Sequence, residues 1–147
     1  MATIKRFEDI EAWQLGRELK KQIYRVSKMG EFARDFALKD QIRRAAMSIT
    51  ANIAEGFERE GNREFVQFLS ISKGSCGELQ DHLYTAFDEN YIAQEQFDEM
   101  YRRAAETGRK LGAFMNYLNR TETRGRKFMQ VPPATNSKSE TRNSKQP

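Results

Sequence analysis

From residue 9 to residue 120 the apolar positions recur at steps of three and four, the period of an α-helix. Ile10, Trp13, Gly16 or Arg17, Leu19 or Lys20, Ile23 and Val26 mark a first helix, with Asp9 as its expected N-cap and Phe7 as a hydrophobic staple. Met29-Gly30 stops it. A second helix begins near Arg34 or Asp35 and continues to about Phe57 or Arg59, with Ile42, Ala45, Ile49, Ile53 and Gly56 on one face. Glu60-Gly61-Asn62 is a turn, and Asn62 is the expected N-cap of a third helix reaching Asp88. The buried side of that helix is read as Phe65, Phe68, Leu69, Ser72, Cys76, Leu79, Leu83 and Phe87. After Glu89-Asn90-Tyr91, a fourth helix from about Gln94 to Asn119 carries the stripe Phe97, Met100 or Tyr101, Ala104, Gly108, Leu111, Met115 and Leu118. Short connections favour antiparallel neighbours, so the pattern predicts an all-α, up-down-up-down four-helix bundle over residues 1–120. Beyond Thr121 the stripe stops, and the Pro132-Pro133 pair and polar end predict a basic disordered tail over residues 121–147.

The second helix is unusual because little of it reads as an ordinary solvated face. Gln41, Arg44, Ser48, Asn52 and Glu55 form a stripe beside the apolar one, and the remaining side carries Arg43, Met47, Thr50, Ala51, Ala54 and Phe57. A helix that is small or apolar nearly all round is buried on several sides, which predicts contact with more than its own chain. Two glycines, Gly74 and Gly77, interrupt the third helix, each at a cost of about 1 kcal/mol relative to alanine. Close packing against Ala45, Ala46, Ser48 and Ala51 would account for them. The polar stripe, with Glu78 of the third helix, is expected to form a network. It either locks helix register or a subunit interface, or it contacts a ligand or nucleic acid.

Charge changes the picture only once it is divided. The net charge is +4, from 25 basic and 21 acidic side chains. Six basic and two acidic residues lie in residues 121–147, leaving 19 of each in residues 1–120. The basic character therefore belongs to the tail, where Arg124, Arg126 and Lys127 are the cleanest excess. Residues 1–120 contain no proline, which permits long unbroken helices. No run is long and apolar enough to span a bilayer, and the N-terminus lacks the apolar core of a secretory signal. Cytoplasm is the expected compartment, and the single Cys76 agrees with a reducing one.

Several motifs in order support a family resemblance. They are Phe7-Glu8-Asp9-Ile10-Glu11-Ala12-Trp13-Gln14, Gln41-Ile42-Arg43-Arg44-Ala45-Ala46-Met47-Ser48-Ile49, Asn52-Ile53-Ala54-Glu55-Gly56, Glu64-Phe65-Val66-Gln67-Phe68-Leu69 and Gly74-Ser75-Cys76-Gly77-Glu78-Leu79. Over about residues 5–120 the chain resembles the four-helix-bundle proteins called 23S rRNA intervening-sequence proteins, or the S23 ribosomal protein family. Members typically have a proline where this chain has Thr50, a departure expected to straighten the second helix. The resemblance implies a homopentamer and association with RNA or DNA, with a nucleic-acid-processing enzyme as a protein partner in related systems. No enzymatic reaction comes with it.

Catalytic chemistry finds little support in the residues. His82 is the only histidine, and di-iron bundles use two Glu-x-x-His elements. No phosphate-binding glycine loop is present, since Gly74-Ser75-Cys76-Gly77 lies inside a helical pattern. We therefore expect no catalytic residues, no metal and no cofactor. Arg17, Lys20, Lys21 and Arg25 of the first helix, with Arg43, form one expected nucleic-acid surface, and Arg124, Arg126 and Lys127 another. Lys73, Arg102, Arg103, Arg109 and Lys110 are further candidates. The reading is a non-enzymatic oligomer that associates with nucleic acid, RNA before DNA. The alternative is a protein-interaction scaffold for a nucleic-acid-processing enzyme.

Overall fold

The structure, a computed structural model, describes residues 3–129, with side chains through residue 121. Four helices account for nearly all of it: α1 (Glu11–Ser27), α2 (Phe36–Phe57), α3 (Asn62–Asp88) and α4 (Gln94–Met129). Short 3-10 turns, Phe7–Asp9 and Gly30–Arg34, precede α1 and α2. Each helix packs on its neighbours in sequence, and α1 closes the square against α4. This is the antiparallel bundle that the apolar stripes predicted. One buried core runs through it, with Leu19, Ile23, Ile42, Ile49, Ile53, Leu69, Leu79, Leu83 and Leu111 fully enclosed.

The helix starts differ from the predicted caps. Ile10 occupies the N-cap of α1 without a side-chain bond, because Asp9 closes the 3-10 turn and accepts from the Lys5 amide at 3.3 Å. Phe7 still reaches forward, meeting Trp13 edge-on at 5.3 Å. Asp35 caps α2, its Oδ1 accepting from the Leu38 amide at 3.0 Å, while its Oδ2 accepts from the Tyr91 hydroxyl at 2.9 Å. Gly61, at φ +86°, takes the cap of α3, a conformation that glycine adopts without a Cβ clash. Asn62 instead donates from its amide to the Leu118 carbonyl at 3.2 Å and ties α3 to α4.

The closest helix approaches fall at residues the pattern only half revealed. Ser72 donates to the Ile49 carbonyl at 2.7 Å, and Ser75 shares a hydroxyl hydrogen bond with Ser48 at 2.8 Å. These bonds join α2 to α3. Gly74 and Gly77, expected at this crossing, face open space: a Cβ built on either meets nothing within 4 Å. The 3.6-residue period explains the difference, because it turns residues 72, 75, 76 and 79 inward and leaves 74 and 77 outside. The glycine that does permit contact is Gly56, whose absent Cβ would lie 2.7 Å from the Phe68 Cβ. Gly16 plays the same part between α1 and α2, where a Cβ would lie 3.0 Å from Ile49 Cγ2 and from Thr50 Cγ2.

α4 continues to Met129, beyond the expected end near Asn119. A helix already nucleated propagates through residues of fair propensity without needing an apolar stripe, and residues 121–129 contain no proline. The expectation of disorder for residues 130–147 lies outside the described residues.

Cys76 sits in the core between α3 and α4, and burial pushes its thiol up to about 12, against a weaker opposing pull from Lys73. At pH 8 the reactive thiolate is about one part in ten thousand. Ellman's reagent at that pH should leave the native protein unlabelled and should label it fully in guanidinium; rapid native labelling would contradict the burial. Because the folded thiol holds its proton above the ordinary value of 9.0, its contribution to stability is complete below about pH 9 and declines toward pH 12.

Candidate nucleic-acid interface

The expected basic surface of the first helix lies along the seam between α1 and α2. On α2, Arg43, Met47 and Thr50 follow one another at helical steps and face Ser27, Tyr24 and Lys20 of α1. Arg43 donates from Nε to Ser27 Oγ at 2.8 Å, and its guanidinium lies 4.4 Å from the centre of the Tyr24 ring. The Tyr24 hydroxyl donates to Met47 Sδ at 3.3 Å. Lys20 donates from Nζ to Thr50 Oγ1 at 3.0 Å, and burial lowers its pKa, with a smaller push from Arg17. Arg17 rests 5.7 Å from the centre of the Trp13 ring. Lys21 pairs with Glu18 at 3.2 Å. The Arg25 side chain is exposed, and among the described residues it makes no ion pair or hydrogen bond.

The structure therefore gathers these cations on one seam but engages most of them in its own packing. Arg43 behaves chiefly as an inter-helix tie. The sequence missed its partner Ser27 and the Lys20 partner Thr50. The signal was present, since Arg43 and Thr50 lie seven residues apart, two helical turns, on the side of α2 left over from its apolar and polar stripes.

The expected polar network is not formed within this chain. Gln41, Arg44 and Glu55 are exposed on α2, as is Glu78 on α3. Arg44 turns back to Asp40 at 2.8 Å, which raises its pKa. Glu55 pairs with Arg59, and Glu78 with His82 at 3.4 Å. Only Ser48 and Asn52 join up: the Asn52 amide donates to the Ser48 hydroxyl and carbonyl, both at 2.9 Å, and Ser48 meets Ser75. The physical reason is reach and hydration. Arg44 and Glu55 each find an opposite charge one turn away along the chain, and Glu78 meets the His82 ring one turn away on α3, so each stays in water and avoids the desolvation cost of crossing the groove. The stripe consequently lines the outer edge of the α2–α3 groove. Beside it Met47 and Ile71 remain 41 % and 53 % exposed.

Of the further cations, Arg103 pairs with Glu99 at 3.1 Å and Lys110 with Glu11 at 3.3 Å. Lys73, Arg102, Arg109 and Arg120 are exposed and make no ion pair or hydrogen bond among the described residues. Arg124, Arg126 and Lys127 stand in the last turns of α4, past the residues whose side chains are described. Among the described residues no group of three or more His, Cys, Asp or Glu side chains could hold a metal ion. No described helix is long and apolar enough to cross a membrane.

The fold and its surface define a four-helix bundle carrying both paired and unpaired surface cations. A family model described as 23S rRNA-intervening sequence protein matches residues 8–113. The chain belongs to that family, as its motifs implied. Among solved structures, a protein of unknown function from the S23 ribosomal protein family of Bacteroides thetaiotaomicron superposes with a TM-score of 0.65. It is 22 % identical, and the match covers 71 % of this chain and 97 % of that one. At that identity the likeness concerns the fold. Curated proteins give no match.

Proposed function

We propose that this chain is a non-enzymatic, cytoplasmic protein that associates with nucleic acid, RNA before DNA, through cations displayed on a rigid helical bundle. The observation that carries this reading is the family match over residues 8–113, to proteins described by their connection with 23S rRNA intervening sequences. The surface is compatible, because exposed arginines and lysines without intramolecular partners can take phosphate without first breaking an ion pair. The aromatic side chains are mostly engaged with one another or with the core, so contact would be led by charge and shape rather than base stacking. Filter binding of a hairpin RNA and a duplex DNA, from about 50 to 200 mM salt, tests this. Binding at low salt that falls linearly with log salt concentration is expected. Absence of binding at low salt, or binding that salt leaves unchanged, would overturn it.

Assembly with further copies is part of the proposal. Met47 on α2 and Ile71 on α3 are large apolar side chains left exposed, and exposed apolar surface of this kind supports self-association through the outer side of these helices. The homopentamer rests on the family resemblance alone. The scaffold reading draws on a different feature, the half-exposed Tyr84, tilted against Phe97 at 5.0 Å and edge-on to Tyr101 at 5.5 Å. A polypeptide partner would find an aromatic anchor there.

A further inference from the structure

Charge is segregated along α4. Residues 94–106 include Glu95, Asp98, Glu99 and Glu106, whereas residues 107–121 contain no acidic side chain. In that second half Arg109 and Arg120 are exposed, and among the described residues neither has an ion-pair or hydrogen-bond partner. Helical geometry places them on the same outward face, because eleven residues is close to three turns. Lys73 approaches this face from α3: its Cε lies 3.3 Å from where a Cβ on Gly112 would stand. Gly112 is one turn from Arg109. Lys73 is itself exposed and unpaired among the described residues. On α3, Glu78 and Asp81 come later in the helix and lie toward the α3–α4 connection, while Glu64 stands exposed in its first turn.

From this arrangement we infer that the nucleic-acid contact lies on the outer α3–α4 face, along a stripe of Lys73, Arg109 and Arg120, and that its ligand is a phosphate backbone. The inference rests on the nucleic-acid reading above and moves its site away from the α1–α2 seam. Two observations decide between the surfaces. The seam cations Lys20, Lys21 and Arg43 already donate to Thr50, Glu18 and Ser27, leaving Arg25 exposed there, whereas among the described residues no ion pair or side-chain hydrogen bond holds any of the three stripe cations. α4 also continues past Arg120 to Met129. From Arg109 to Arg120 the helix axis advances about 16 Å. That is ample for several consecutive phosphates, which rise about 3.4 Å apiece along one strand of a duplex. Polyanion complementarity arises here from cations held on a continuous helix.

Two charge-matched triple variants of the full chain test the assignment. One is Lys73→Gln/Arg109→Gln/Arg120→Gln; the other, on α1, is Arg17→Gln/Lys20→Gln/Lys21→Gln, which removes cations already held by Trp13, Thr50 and Glu18. Fluorescence anisotropy with hairpin RNA and with duplex DNA across a salt series is the readout, and thermal melting checks the fold. The stripe variant should lose on the order of tenfold or more in affinity at low salt, with the salt slope reduced by about one per phosphate contact removed. The α1 variant should lose clearly less. Arg109→Lys/Arg120→Lys, which keeps the charge, should bind near the wild-type level. A loss with both nucleic acids, or with one alone, supports the stripe and identifies which polymer it takes. Equal losses in the two triple variants, or a larger loss on α1, overturn the stripe while leaving the nucleic-acid reading intact. Failure of the wild-type chain to bind either polymer removes that reading and the stripe together.

Discussion

Gly56→Leu should lower the stability of the bundle by at least about 3 kcal/mol, a large share of what a domain of this size possesses. The reason lies in a single contact. A Cβ on Gly56 would stand 2.7 Å from Phe68 Cβ and 2.9 Å from Phe65 Cδ1. Phe68 Cβ cannot swing away, because it is fixed to the α3 backbone. Phe65 is held in turn between Phe57 at 6.1 Å and Phe114 at 5.4 Å, both edge-on. Any side chain at position 56 therefore separates α2 from α3 near their shared turn and disturbs three aromatic rings. Gly77→Ala should do the opposite. A Cβ there meets nothing, and alanine at an exposed helical position gains about 0.5–1 kcal/mol over glycine. Chemical denaturation of the two variants measures both signs. A Gly56→Leu protein as stable as wild type would show that α2 and α3 are not packed this closely.

Ile49→Ala is expected to cost about 3–5 kcal/mol, the range for deleting a large buried aliphatic side chain. Ile49 is fully enclosed at the middle of α2. Its Cγ2 fills the hollow left by Gly16 of α1, at 3.0 Å from the position of the missing Cβ, and its carbonyl accepts from the buried Ser72 hydroxyl of α3. One residue thus joins three helices. Truncation leaves a cavity that Gly16, having no side chain, cannot fill, so relaxation is poor and the cost falls toward the upper end. Ile49→Val, which keeps the branched Cβ, should cost only about 1 kcal/mol. Equal effects of the two substitutions in urea unfolding would rule out this three-helix junction.

Much of the bundle was legible from period alone. Ile42, Ile49 and Ile53, or Leu69, Leu79 and Leu83, must share a face wherever a helix forms, and the structure encloses all of them. What the period could not supply was the direction of small residues. Gly74, Gly77, Ser72 and Ser75 are alike in size, and only the angular position of each separates the two serines at the crossing from the two glycines in open space. Side-chain partners were the least legible. Arg44 and Glu78 have opposite charges and sit beside one groove, yet Asp40 and His82 are nearer along their own helices. The exposed polar stripe came out on the right edge of α2 with the wrong partners. The basic surface followed similar logic. Sequence could name Arg17, Lys20, Lys21, Arg25 and Arg43 as neighbours, but not that Thr50, Glu18 and Ser27 engage three of them. Nor could an apolar stripe that ends near Leu118 show α4 continuing to Met129.

Sedimentation velocity of the full chain with a labelled hairpin RNA tests the central claim most directly, since it reports the mass of the free protein and the fate of the RNA together. The protein alone should sediment as an oligomer, carry the RNA with it at about 50 mM salt, and release it as salt rises toward about 200 mM. A monomeric protein would contradict the proposed α2–α3 assembly face. RNA that sediments freely at low salt would contradict the nucleic-acid function itself.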